Sequence, residues 1–398
     1  MKFLIKKIYI ILFLLIIFLI QPQAFSSDNK ILYTKEDISN YFLGIVSANK
    51  DYNNEAFKYL KKVKSLKNRH SQFNIEFVRT LVLLEKFDKA FAFSKSVWNE
   101  NELFFEADLL LGLDSFIKKD YENSKKYFER LNKISRYNLF FDDFIGNVLL
   151  AWNKASQGNK EESFKFLGKI PKSYRHLKKT QNSFLKCYFD DKDAHKFFEE
   201  VIQNEDYNFS RYNFFLANYF LFKNKNKEAK KIIERGREKY NTNLLIKATE
   251  NFLLNDKNEK VKNFYNCKDP KDSLAEFFYV IANLYSGEKN YRLSNFYLKI
   301  SQFLNNKFLT NNALLAENYY YQKKYKHSKK IYESLKPIGP VYSWHASKKI
   351  AIILLEEKGK KYSIKKLEKE FNLLPKINVD HYYDLANIYK DNEYYEES

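Results

Sequence analysis

The side chains that could do chemistry are few and scattered. Six histidines, His70, His176, His195, His327, His345 and His381, show no H-E-x-x-H spacing, and the two cysteines, Cys187 and Cys267, form no C-x-x-C. No G-x-S-x-G elbow raises a nucleophilic serine, and no G-x-x-x-x-G-K-[ST] loop could cradle a phosphate. The acidic pairs Asp142-Asp143 and Asp190 to Asp193 read as helix caps and turns rather than as paired carboxylates for acid–base work. The chain is therefore expected not to be an enzyme, and to carry no cofactor and no metal. Binding chemistry remains. Asn218, Asn283 and Asn387 recur in "LANYF", "IANLY" and "LANIY", each one place past a small residue. A side-chain amide donates and accepts at once, so a row of them could pair with the backbone of an extended peptide. Tyr279, Tyr320 and Tyr383 lie in the same segments and offer flat contact area. The plainer alternatives are that an Asn-rich genome fills polar helix positions with Asn, and that the tyrosines serve core or inter-repeat packing.

The elements that must position these residues are helices. Gly 9 and Pro 6 in 398 residues leave too little turn chemistry for a β-sandwich or an α/β fold, and aromatics reach 18%. The chain repeats. "ANKDYNNEAFKYLKKV", "IKKDYENSKKYFERL", "SGEKNYRLSNFYLKI" and "QKKYKHSKKIYESL" share a polar turn, an aromatic, a small residue and an amphipathic stretch. The small residues are Ala56, Ala90, Ser124, Ser163, Ala194, Ala229, Val261, Ser294, Ser328, Ser363 and Ser398, with gaps of 31 to 39 residues that centre on 34. A second small residue precedes most of them: Gly44, Gly112, Ala151, Ala217, Ala282, Ala316, Ala351 and Ala386. Two antiparallel helices cross closest where side chains are smallest, so each unit needs one such residue per helix. Tyr121, Tyr291, Tyr325 and Tyr395 are expected to plug the gap beside the turn, and Pro337, Pro340 and Pro375 to fall between units.

This 34-residue helix–turn–helix unit resembles the tetratricopeptide repeat over residues 37–398, most clearly around Ser124, Ser294 and Ser328. The whole chain also resembles exported tetratricopeptide proteins of α-proteobacteria. The resemblance implies a right-handed superhelical, all-α solenoid of about ten to eleven units, with the first helix of each pair lining a concave groove. Contacts are then expected between neighbours, so residues 40–70 should not pack on residues 350–380. Ser398 takes the small-residue place of an eleventh unit, which reads as an interrupted last repeat with Leu385, Ile388 and Tyr389 uncovered.

The first 26 residues read as a signal peptide: a basic "MKFLIKK", thirteen apolar residues from Ile8 to Ile20, then small residues at Ala24 and Ser26. Thirteen residues rise only about 20 Å, short of a ~30 Å bilayer core, so cleavage is expected and an uncleaved anchor at residues 3–20 is the alternative. Periplasmic location follows, with membrane contact only through the leader. Residues 27–398 would be the solenoid. Net charge is +20, and +17 without Lys2, Lys6 and Lys7. Only nine of 69 basic residues are Arg, which suits an AT-rich genome more than a nucleic-acid surface. Expected partners are proteins or peptides held in the groove, in envelope assembly or secretion, and not nucleic acid. Two alternatives stand: a basic module for anionic lipid or glycan, and the solenoid part of a polysaccharide or protein export system. Cys187 and Cys267, two units apart, are not expected to reach each other.

Overall fold

Ten helical hairpins follow one another along the computed structural model, which describes residues 33–68, 70–134, 143–203, 208–374 and 376–391. The leader, Asp142, Pro375, Tyr395 and Ser398 lie outside the described residues. The first five hairpins are α1 (Lys35–Asn49) with α2 (Asn53–Leu60), α3 (Ser71–Leu83) with α4 (Phe87–Val97), α5 (Phe105–Ile117) with α6 (Tyr121–Ile134), α7 (Phe144–Ser156) with α8 (Lys160–Gly168), and α9 (Arg175–Tyr188) with α10 (Ala194–Ile202). The next five are α11 (Tyr212–Phe222) with α12 (Asn226–Lys239), α13 (Leu244–Leu254) with α14 (Asn258–Phe264), α15 (Pro270–Gly287) with α16 (Tyr291–Leu304), α17 (Asn312–Tyr321) with α18 (Tyr325–Leu335), and α19 (Pro340–Lys358) with α20 (Lys360–Asn372). A last helix, α21 (Val379–Asp391), follows. Among the described residues the only extended pairing is one bridge, Asn99 with Glu102. The architecture is an all-α solenoid of tetratricopeptide type.

Each hairpin turn holds one residue in the left-handed region: Asp51, Glu85, Lys119, Gly158, Asp190, Asn224, Asp256, Lys289, Lys323 and Gly359, with φ from +53° to +85°. That conformation lets the turn amides fold back on the ending helix. At the eighth hairpin Lys289 N–H donates to Ser286 O and Asn290 N–H to Tyr285 O, both at 2.9 Å, which satisfies carbonyls a helix end would orphan. Only two of the ten are glycine, so scarce glycine in the sequence hid the turns rather than excluding them.

The small-residue register is a packing register. Ala56, Ala90, Ser124, Ser163, Ala194, Ala229, Val261, Ser294, Ser328 and Ser363 are all 0–1% exposed. In three consecutive hairpins the serine also bonds across: Ser294 Oγ donates to Ala282 O at 2.7 Å, Ser328 to Ala316 at 2.7 Å and Ser363 to Ala351 at 2.6 Å. Where the facing residue is large the partner is glycine. A Cβ on Gly44 would come within 2.5 Å of Leu60, and one on Gly112 within 2.4 Å of Phe128.

The array does not stay open. The first two hairpins return to the eighth and ninth, against the expectation of neighbour-only contacts. Arg292 donates to Ala48 O, to Asp51 at 3.1 Å and to Glu76 at 2.6 Å, while Lys299 meets Glu85 at 2.7 Å. Gln322 donates to Asp51 at 2.7 Å, and the Phe87 and Phe303 rings stack 4.1 Å apart. One apolar cluster accordingly runs from Leu60 to Leu354. Low contact order assumes an extended array, and curvature overrides it once the ends of a turn of superhelix can meet.

Cys187 and Cys267 are bonded, with Cα atoms 5.9 Å apart, which corrects the expectation that two units separate them. The stretch after α14 reaches α9 past α11, with the Tyr265 ring 4.8 Å from that of Phe215. Tyr265 packs 5.5 Å from Phe184, and Lys268 Nζ donates to Tyr188 O at 2.8 Å. Helix α21 is also less bare than expected. Leu385, Ile388 and Tyr389 are half-buried, and Asp384 accepts from Trp344 Nε1 at 2.9 Å and meets Lys348 at 2.5 Å.

Two outcomes are expected. Lys119 is exposed and holds a left-handed φ of +61°, so Lys119→Gly should raise unfolding stability. The gain should be about 0.5–1 kcal/mol in urea melts, and Lys119→Ala should show none. Cys187→Ser with Cys267→Ser should lower stability by about 2–4 kcal/mol. Reductant should bring the parent to that level and leave the variant unmoved, whereas rapid thiol labelling of the folded parent would sink the pairing.

Candidate functional site

The first helices of the later hairpins enclose a cavity of about 1020 Å³. Residues of α9, α11, α13, α15, α17 and α19 all reach it, including Leu177, Tyr212, Leu245, Tyr279, Ala313 and Tyr342. The lining is mainly aromatic and amide-bearing, with Arg211 and Glu288 as its charged members.

Arg211, just before α11, sets its floor. Its Nε and Nη2 donate to the two Glu276 carboxylate oxygens at 2.7 and 2.8 Å, and Nη2 also donates to Asn311 Oδ1 at 2.6 Å. The guanidinium lies 4.0 Å from the Tyr279 ring centre and 5.0 Å from that of Phe308. Burial opposes the charge, and the facing Glu276 more than offsets it, so Arg211 titrates above the usual arginine range. The fork geometry matches the carboxylate on two bonds, which lysine could not do. Burial likewise pushes the Tyr279 and Tyr342 phenols up, against the Arg211 charge, so both remain hydrogen-bond donors at physiological pH.

The structure brings only two of the six sequence candidates together here. Tyr279 and Asn283 stand one helical turn apart on α15, and both line the cavity, Asn283 exposed within it. Asn218 does not join them. It is 1% exposed and donates to Val261 O at 3.0 Å, binding α11 to α14. Asn153 and Asn318 act similarly, donating to Tyr121 O at 3.0 Å and to Ser294 Oγ at 2.8 Å. Amides on the first helices thus tie hairpins together before they face a groove. Asn387 is half-buried and Tyr383 is 69% exposed, both on α21, while Tyr320 packs 5.9 Å from Tyr325 beside its own turn.

Sequence reading passed over Arg211, Glu276 and Tyr342. A signal was available: in a lysine-dominated chain the rare arginines mark places where a planar fork is needed. Arg79 meets Glu106 at 2.5 Å and Arg130 meets Asp108 at 2.7 Å, each pair largely buried. Among the described residues no group of three or more His, Cys, Asp or Glu side chains could hold a metal, and no helix is long and apolar enough to cross a membrane.

Comparison with protein families and with curated proteins finds no match. Solved structures do align along the chain. Yeast Tom70 is 13% identical, with 90% of this chain and 88% of that one covered and a TM-score of 0.27. The P58(IPK) TPR domain is 13% identical over 91% and 90%, with a TM-score of 0.26. The APC/C hetero-tetramer Cut9-Hcn1 aligns at 12% identity over 89% and 84%, with a TM-score of 0.26. These superpositions are loose, and the assignment of the architecture rests on the hairpins themselves.

Removing one partner of the buried pair should be costly. Arg211→Met leaves Glu276 uncompensated and should destabilise by about 3–5 kcal/mol in urea unfolding. Adding Glu276→Leu should recover most of that loss, since an apolar pair of similar volume carries no desolvation penalty. Equal stability of parent and Arg211→Met would remove the pair from its structural role.

Proposed function

We propose that the protein is an exported binding scaffold that holds an extended segment of a partner protein in the inner cavity, without catalysis. One observation carries the reading. A space of about 1020 Å³ between first helices is lined mainly by tyrosines and amides, and its one buried arginine is already neutralised by Glu276. Flat aromatic rings give contact area at low entropic cost, and Asn283 offers a donor and an acceptor to a passing backbone. Because Glu276 cancels Arg211 and Glu288 is the one remaining charged group on the lining, affinity should depend only weakly on ionic strength.

The periplasm is the proposed compartment. Support comes from the basic and apolar start of the chain and from the Cys187–Cys267 bond, which an oxidising compartment maintains. Envelope assembly or secretion is the proposed setting.

The test is site-specific photo-crosslinking of the full chain in its own cells. A photoreactive residue at Leu284, which lines the cavity and is 41% exposed, should give one discrete protein adduct. The same group at Lys227, exposed on α12, should give none, and Tyr279→Ala should deplete the Leu284 adduct. No adduct at Leu284, or equal adducts at both positions, would overturn the reading.

A further inference from the structure

Closure of the array creates a second, differently charged recess. The turns of the first, eighth and ninth hairpins surround an open cavity of about 790 Å³, which shares only Asn290 with the inner one. Lys50, Lys289, Lys323 and Lys326 line it, are exposed, and form no ion pair with any described residue. Its two acids are already paired: Asp51 with Arg292 at 3.1 Å and Gln322 at 2.7 Å, both on the same lining, and Glu357 with Lys329. Lys324 is half-buried, donates to Lys50 O at 2.7 Å and lies 4.9 Å from the Tyr52 ring centre. Burial holds its ammonium below the usual lysine range, with Arg292 adding to the effect. The first residues of α16 and α18, Tyr291 and Tyr325, also line the space, so the positive ends of two helices add to the lysine field.

We propose that this junction binds an acidic oligosaccharide, a sugar chain bearing carboxylates. Arg292, the one guanidinium on the lining, is taken up by Ala48 O, Asp51 and Glu76, so the free basic groups are separate ammonium points on three turns, which suits negative charges spaced along a chain better than one bidentate phosphate. Tyr52 is 54% exposed and Tyr291 lines the wall, and flat rings of this kind accept the C–H face of a sugar. An extended peptide is poorly served here. The turn amides of Asp51, Tyr52, Lys289, Asn290, Lys323 and Lys324 all donate within their own turns, so no strand-like pairing is on offer.

The test is calorimetric titration of the full chain with an oligogalacturonate, and with a polyglutamate peptide of equal charge. Lys289→Gln, Lys323→Gln and Lys326→Gln together should weaken oligogalacturonate binding about tenfold or more at low salt. Lys225→Gln, Lys227→Gln and Lys231→Gln, exposed on or beside α12, remove the same charge and should leave binding unchanged. Tyr52→Ala should weaken binding while leaving its salt dependence intact. Equal losses in both triple variants would reduce the effect to diffuse net charge and overturn the site. Polyglutamate binding as tightly as the sugar would overturn the saccharide assignment, as would no binding of the sugar at all. Thermal melts of each variant should match the parent, since every lysine changed is exposed.

Discussion

Arg292 is the contact on which the shape of this solenoid depends. From the start of α16 it reaches the end of α1 at Ala48 O, the turn at Asp51 and the side chain of Glu76 on α3. Without such a clasp, a repeat array is held only by neighbour-to-neighbour packing and its curvature is soft. With it, and with the Phe87–Phe303 stack beside it, the first two hairpins are fixed against the eighth. The outer cavity follows from that closure, because it holds the turns of the first, eighth and ninth hairpins together.

The clasp shows why so few arginines matter so much. Lysine fills most basic positions of this chain and mostly stays on solvated faces. Arg175 and Arg235 are exposed, but other arginines meet two or more acceptors from one side chain in partial burial: Arg79 with Glu106 and Glu76, Arg130 with Asp108 and three backbone carbonyls, Arg211 with Glu276 and Asn311. Buried pairs of this kind give little net stability over an apolar pair, because both ions lose their water. Their role is better understood as fixing one arrangement: a charged group in the interior tolerates few alternative partners, so each pair selects one hairpin-to-hairpin angle.

The two recesses divide the binding chemistry by charge. The inner surface is largely aromatic and amide-bearing, with Glu276 cancelling Arg211 and Glu288 as its one remaining charge. The turn surface is basic and side-chain-driven, because its backbone amides are consumed in closing the turns. A ligand seen by one surface would be a poor ligand for the other.

Sequence by itself determined the helices, their pairing and the positions of closest approach. Those are local matters: a 34-residue period and one small residue per helix leave the hairpin no other way to pack, and even the weakly patterned Ala194 and Val261 proved fully buried. The candidate site was legible only in part. Tyr279 and Asn283 share a helix, so sequence spacing could place them side by side, but Asn218, with the same local motif, became a strut to Val261 because α14 lies over it. Only tertiary structure decided which amides face space, that Cys187 meets Cys267, and that the first hairpin closes on the eighth. The physical reason is accumulation: a small rotation per hairpin is invisible within one repeat, and summed along the array it brings together residues more than two hundred positions apart, such as Glu76 and Arg292.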